Sequence, residues 1–216
     1  MNRYPAFFEK TFLSEGYFQN NSKDKGNYFK GKLYGTICGI TARDYYYHFS
    51  LAYELFRLEK YELLKDYCMK FYAKAGYWSS LYNEIDDSSL AFKLWDLGVN
   101  KGVVTAVKLL QKVLIQNYGY NLEMDGVFGQ TTLRCTNEAT YQSPVKINAK
   151  VGKVARESIL YAYYAFESEK RYRSLSTFWE FGKGWLLRLW YVFNGVPDKI
   201  EIETPEPKDY ERTQTK

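Results

Sequence analysis

In Pro5-Ala6-Phe7-Phe8-Glu9-Lys10-Thr11-Phe12-Leu13-Ser14-Glu15-Gly16-Tyr17, the apolar residues Phe7, Phe8, Phe12 and Leu13 recur at helical spacing. Pro5 suits a first helical turn, and Gly16 breaks the run. From Tyr17 to Gly39 the periodicity disappears and Asn, Asp, Lys and Gly dominate, which predicts a loop with a small hairpin around Gly31 to Gly35. The segment therefore reads as a short apolar helix ending at a carboxyl group, Glu15, that faces a polar, turn-rich stretch. A glutamic acid in that position can act as a general acid when partial burial disfavours its charged form. Phe12, Tyr17 and Phe18 are the neighbours expected to desolvate it.

The rest of the chain reads as helical. Thr41 is suited to cap a helix from Ala42 through Tyr46, Phe49, Tyr53 and Phe56, and a further helix covers Tyr61 to Tyr72. Asp87 to Leu97 carries Leu90, Leu94 and Leu97 on one face and is expected to end near Gly98. Lys101 to Gln116 is periodic through Val104, Val107, Leu110, Leu114 and Ile115. After the turn signal Asp125-Gly126, helices are expected over Gln130 to Thr140, Lys150 to Arg173 and Ser176 to Phe193. The fold class is mostly α, with at most a small β-hairpin near the Glu15 loop. Gly195-Val196-Pro197 closes the ordered part, and residues 196–216 read as a disordered polar tail.

Composition narrows the function classes. The chain has 216 residues, enough for one sizeable core, with 46% hydrophobic and 19% aromatic content that includes 22 Tyr. Amphipathic rings in that abundance serve core packing and open clefts alike. The net charge is +5; the tail from Asp198 holds six acids against four bases, so the remainder carries +7. A mildly basic body suits an anionic polymer. No run of five basic residues occurs, and no nucleic-acid partner is expected.

Cys38, Cys68 and Cys135 are widely spaced, and His48 is the sole histidine, so neither a zinc site nor a disulfide framework is expected. The N-terminal residues lack a long apolar core and read as no signal peptide. No stretch of about 18 apolar residues suggests a membrane span.

Order and spacing add a resemblance. Glu15-Gly16-Tyr17, Asn20-Asn21, Asp24-Lys25-Gly26 and Thr36-Ile37-Cys38-Gly39-Ile40-Thr41 resemble the N-terminal signature of glycoside hydrolase family 108, lysozyme-like N-acetylmuramidases of phage endolysins and bacterial secretion systems. The family pattern runs Glu-Gly-Gly-Tyr, a polar stretch, Asp-Pro-Gly-Gly, then Thr-x-x-Gly-Ile-Thr. Here the second glycine is missing, Lys25 replaces the proline, Asn27 replaces a glycine, and residues Tyr28 to Gly35 are inserted. Downstream, Leu94 to Gly102, Gln111, Asp125 to Leu133 and Phe181 to Arg188 resemble later segments of the family, including its peptidoglycan-binding region.

The resemblance implies a lysozyme-like fold with a catalytic part over residues 1–92 and a peptidoglycan-binding part over 93–195 packed on it. It implies cleavage of the β-1,4 bond between N-acetylmuramic acid and N-acetylglucosamine, with Glu15 as general acid and Asp24 and Thr36 assisting water attack. Asp44 is a weaker candidate. Tyr17, Tyr77 and Trp78 are candidate sugar contacts, core burial being the other reading of Tyr77 and Trp78. Asp96 and Asn100 lie four apart on one helix face and either buttress the cleft or serve structure alone. Trp185 reads as packing and Arg188 as a surface contact.

No metal or organic cofactor is implied. The expected partner is the glycan strand of peptidoglycan, met by a monomer made in the cytoplasm that reaches the cell wall through a holin or an export system. A noncatalytic peptidoglycan-binding or phage-particle structural protein on the same fold is the alternative. Glu15 argues against it, because a pure binder needs no acid there.

Overall fold

The computed structural model describes residues 2–142 and 159–189. The expected beginning of the long helix at Lys150, its counterpart's end at Phe193 and the tail 196–216 lie outside them. Helix α1 (Tyr4–Glu15) begins with Pro5 in its first turn and stops at Gly16, as its sequence predicts. Two small antiparallel sheets follow. Strands β2 (Tyr28–Phe29) and β3 (Lys32–Leu33) form the anticipated hairpin, while β1 (Phe18–Gln19), β4 (Thr36–Ile37) and β5 (Ile40–Thr41) make a second sheet in the order β1-β4-β5. Its register pairs Phe18 with Ile37 and Thr36 with Thr41. The β4–β5 turn is Cys38-Gly39, both at positive φ, as a tight two-residue hairpin requires.

Seven further helices complete the described fold: α2 (Ala42–Arg57), α3 (Tyr61–Lys74), α4 (Ser88–Lys101), α5 (Val103–Tyr118), α6 (Gln130–Gln142), and then α7 (Ile159–Arg173) with α8 (Phe178–Leu189). The Thr41 hydroxyl accepts from Asp44 N and caps α2; the Asp87 carboxylate accepts from Ser89 N and Leu90 N and caps α4. This is a mostly α, lysozyme-like fold.

Helix α4 is its axis. Leu90, Ala91, Leu94, Trp95 and Leu97 are buried, and α4 packs against α1, α5 and α7, so its apolar surface extends nearly all round. It also runs past the expected stop. Gly98 is buried inside it and faces Val103 at the start of α5. The break comes at Gly102, whose φ of 90° few other residues adopt. The anticipated Asp125 turn is held from α5: Gln111 Nε2 donates to Asp125 Oδ1 at 2.7 Å, and Gln111 Oε1 accepts from Gly126 N at 2.9 Å. No helix among the described residues is long and apolar enough to cross a membrane.

Candidate active site

The end of α1, the polar loop after it, the Cys38-Gly39 turn, the last two turns of α4 and one face of α8 enclose an open cleft of about 1040 Å³. Glu15 enters it from α1. Its Oε1 accepts from Arg188 Nη1 at 2.5 Å. Its Oε2 lies beside Gly39, where a Cβ would come within 3.3 Å of that oxygen and 2.4 Å of the Tyr72 hydroxyl. Tyr72 in turn donates to Cys38 O at 2.9 Å, anchoring the turn under the carboxylate. Burial, reinforced by the charge of Glu15, pushes the Tyr72 phenol well up, so it remains a donor.

Arg188 belongs to a buried chain of polar contacts and is no surface residue. Its Nε donates to both Asp96 oxygens (3.0 and 2.9 Å) and its Nη2 to Asp96 Oδ1 at 2.8 Å. Thr11 donates to Asp96 Oδ1 at 3.0 Å and accepts from Trp95 Nε1 at 3.0 Å. Lys93 Nζ donates to the Arg188 backbone oxygen. Burial pushes the Asp96 carboxyl up, but the Arg188 and Lys93 cations and the Arg188 and Thr11 hydrogen bonds outweigh it and hold the carboxyl below the usual carboxylate range. The Asp96 carboxylate meets a guanidinium fork with the planar geometry that suits it. This chain ties α1, α4 and α8 together at the cleft.

A second polar network holds the opposite rim. Asn27 is buried; its Nδ2 donates to Gln19 Oε1 (2.8 Å) and Asn21 O (2.9 Å), and its Oδ1 accepts from Gln19 Nε2 (2.9 Å) and the Thr36 hydroxyl (2.7 Å). Thr36 thus lines the cleft with its proton directed at Asn27. Asp24 sits at the rim, where Oδ1 accepts from Gly26 N at 2.8 Å and caps a single 3-10 turn, Lys25–Asn27. A sequence reading that treats Asn27 only as a replaced glycine misses this hub.

Glu15, Asp24, Thr36, Asp96 and Asn100 therefore come together around one cleft. Tyr17, Tyr77 and Trp78 do not join them, which corrects their expected sugar contacts. Tyr17 packs on Phe12, Phe56 and Tyr61. Trp78 is wedged among Tyr4, Phe7, Tyr82 and Trp95. Tyr77 shares a hydroxyl contact of 3.2 Å with Tyr45 and packs on Tyr72. Phe12, Tyr17 and Phe18 pack toward α2 and α3, so the Glu15 carboxylate meets Arg188 and the Gly39 backbone where an aromatic lining was expected. The cleft's aromatic wall comes from Phe92, Phe181 and Trp185. Asp44 pairs with Arg43 and accepts from the hydroxyl of Thr41, the cap of α2, outside the cleft.

Residues 8–102 match the family described as Glycosyl hydrolase 108. That stretch, somewhat under half of the chain, is similar to the glycosyl hydrolase 108 family. The matched region contains Glu15, Asp24, Thr36, Asp96 and Asn100, and the match supports a glycoside hydrolase directed at peptidoglycan. Among solved structures, that of Brucella abortus SagA is similar, with a TM-score of 0.55 and 22% identity over 86% of this chain and 88% of that one. At that identity the likeness speaks for the fold, including the part beyond the matched region. A comparison with curated proteins gives no match.

Proposed function

We propose that this protein is an N-acetylmuramidase that hydrolyses the β-1,4 bond between N-acetylmuramic acid and N-acetylglucosamine in peptidoglycan. The observation that carries the reading is Glu15, a carboxyl group fixed at the wall of an open cleft by Arg188 on one oxygen and bordered by Gly39 on the other. Glycosidic cleavage needs an acid beside the departing oxygen and a polar group across from it to serve water. Because Arg188 occupies Oε1, Glu15 delivers its proton from Oε2. Asp24 on the facing rim steadies the positive charge that develops on the sugar and, with Thr36, orients the attacking water. The Thr36 hydroxyl gives its proton to Asn27, which leaves its oxygen to accept from that water.

Asp96 acts through Arg188. It absorbs three of the guanidinium's four carboxylate contacts and so positions the fourth, on Glu15. Residues 1–92 supply the acid, and the helical part that follows, 93–195, binds the wall polymer, joined to the first part where Arg188 meets Glu15 and Asp96 meets Thr11. The protein works at the bacterial cell wall.

Digestion of purified peptidoglycan, with products identified by mass spectrometry, tests the bond assignment. Fragments ending in reducing N-acetylmuramic acid are expected. Fragments ending in reducing N-acetylglucosamine would overturn the muramidase reading in favour of another glycosidase, and binding without cleavage would move the protein to a noncatalytic role.

A further inference from the structure

Among the described residues five cations line the cleft, and four have evident partners or are sealed in. Arg188 is committed to Glu15 and Asp96, Lys93 donates to the Arg188 backbone, Arg43 pairs with Asp44, and Lys10 is buried. Lys101 differs. It is the last residue of α4, where the helix dipole favours a cation, and its Nζ lies 4.1 Å from the centre of the Trp185 ring and 5.3 Å from that of Tyr172. Among the described residues no carboxylate lies within ion-pairing distance of that ammonium. Burial and the charge of Arg188 push Lys101 below the ordinary lysine value, against the pull of Asp24 and Glu15. The amine is thus partly desolvated, walled by rings, and near enough to the candidate acid to feel its charge.

We infer that Lys101, framed by Trp185 and Asn100, is a carboxylate-binding subsite that selects acid-bearing N-acetylated glycans over neutral ones. This rests on the glycan-cleaving reading of the cleft and deepens it. Trp185 and Phe181, with ring centres 5.9 Å apart, give an apolar surface beside the ammonium for the sugar that carries the acid. A carboxylate arriving at Lys101 replaces ring contacts with an ion pair in a partly dehydrated corner, where such a pair is worth more than in open water. Peptidoglycan offers that carboxylate from two sources, the lactyl group of a stem-free muramic acid or the peptide stem itself. Chitin oligomers offer neither.

The test is binding by the full chain carrying Glu15→Gln, by calorimetry at low salt, to three probes: stem-free glycan strands, stem-bearing strands and chitohexaose. Both or one of the acidic strands should bind about tenfold more tightly than chitohexaose. Whichever does so identifies the source of the carboxylate. Adding Lys101→Met, which keeps the stem over the rings, should erase that margin without altering chitohexaose affinity, and Lys101→Arg should restore most of it. Equal affinity for acidic and neutral probes overturns the subsite, as does a margin that survives Lys101→Met in a protein with unchanged melting temperature. Only binding is read here, so selective binding combined with a wild-type protein that leaves peptidoglycan uncut in the separate digestion would sink the hydrolase reading and leave the subsite standing.

Discussion

Arg188 Nη1 lies 2.5 Å from Glu15 Oε1 while Nε and Nη2 of the same guanidinium grip Asp96, so one side chain of α8 joins two carboxylates on α1 and α4. The partners Glu15 and Arg188 stand 173 positions apart in sequence. The candidate acid is therefore held by the far end of the described chain, and the cleft is complete only when α8 is in place.

Removing that link should be costly. Arg188→Met leaves Asp96 buried without its cation, and breaking such a pair costs about 3–5 kcal/mol. Urea unfolding should show that loss, together with a fall in peptidoglycan clearance measured well below the new midpoint. Arg188→Lys should recover only part of both, because an ammonium lacks the bidentate fork.

Asp96 should make stability depend on pH in a defined direction. Its folded-state carboxyl is held below the ordinary value of 3.8, so it adds stability that is present above that value and is lost as pH falls through the folded one. Thermal melts of the wild type should decline across that acidic window. Asp96→Asn should melt lower at neutral pH and show a shallower acid decline, whereas parallel curves for the two proteins would contradict the assignment.

Gly39 is where backbone shape and chemistry meet. Its φ of 79° already disfavours a side chain by about 1–2 kcal/mol. A Cβ would also press on the Tyr72 hydroxyl and Glu15 Oε2. Gly39→Ala should lower the melting temperature and reduce kcat more than tenfold, since displacement by an ångström at the reacting group is expensive. Gly31→Ala, at a positive-φ position in the β2–β3 turn with open space around it, should lower stability with little effect on kcat.

Thr36 has a structural bond and a proposed catalytic one, and substitutions separate them. Thr36→Val removes the donor to Asn27, a loss of about 1 kcal/mol in stability. If its oxygen also orients water, kcat should drop at least tenfold in the folded variant, and Thr36→Ser should preserve both properties. A Thr36→Val protein with normal turnover would confine Thr36 to holding the rim.

Much of this was legible in the sequence because it is local. The periodicity of α1, the Thr41 cap, the Asp87 start of α4 and the Asp125 turn each depend on neighbours within a few residues. Glu15, Asp24 and Thr36 share a cleft because one short loop and one small sheet connect them. The role of Arg188 was hidden, since nothing near it in sequence reveals a carboxylate partner on another helix. One signal did exist: Asp96 interrupts the apolar run Leu94-Trp95-Asp96-Leu97, and a buried carboxylate demands a cation. Tyr17, Tyr77 and Trp78 were misplaced for a related reason. A ring's type is visible in sequence, but which side of a helix pair it faces depends on long-range packing. Gly98 looked like a helix end because its packing against Val103 is tertiary information.

The measurement that bears most directly on the account is the rate of peptidoglycan hydrolysis by Glu15→Gln beside the wild type, with circular dichroism and melting temperature as controls for folding. Glutamine retains an oxygen for Arg188 but cannot give up an acid's proton. The account predicts a folded variant that still binds the wall polymer and has lost at least a hundredfold in rate, the scale of a positioned general acid. A folded Glu15→Gln protein that cleaves at the wild-type rate would contradict it and shift the search for the acid to Asp24.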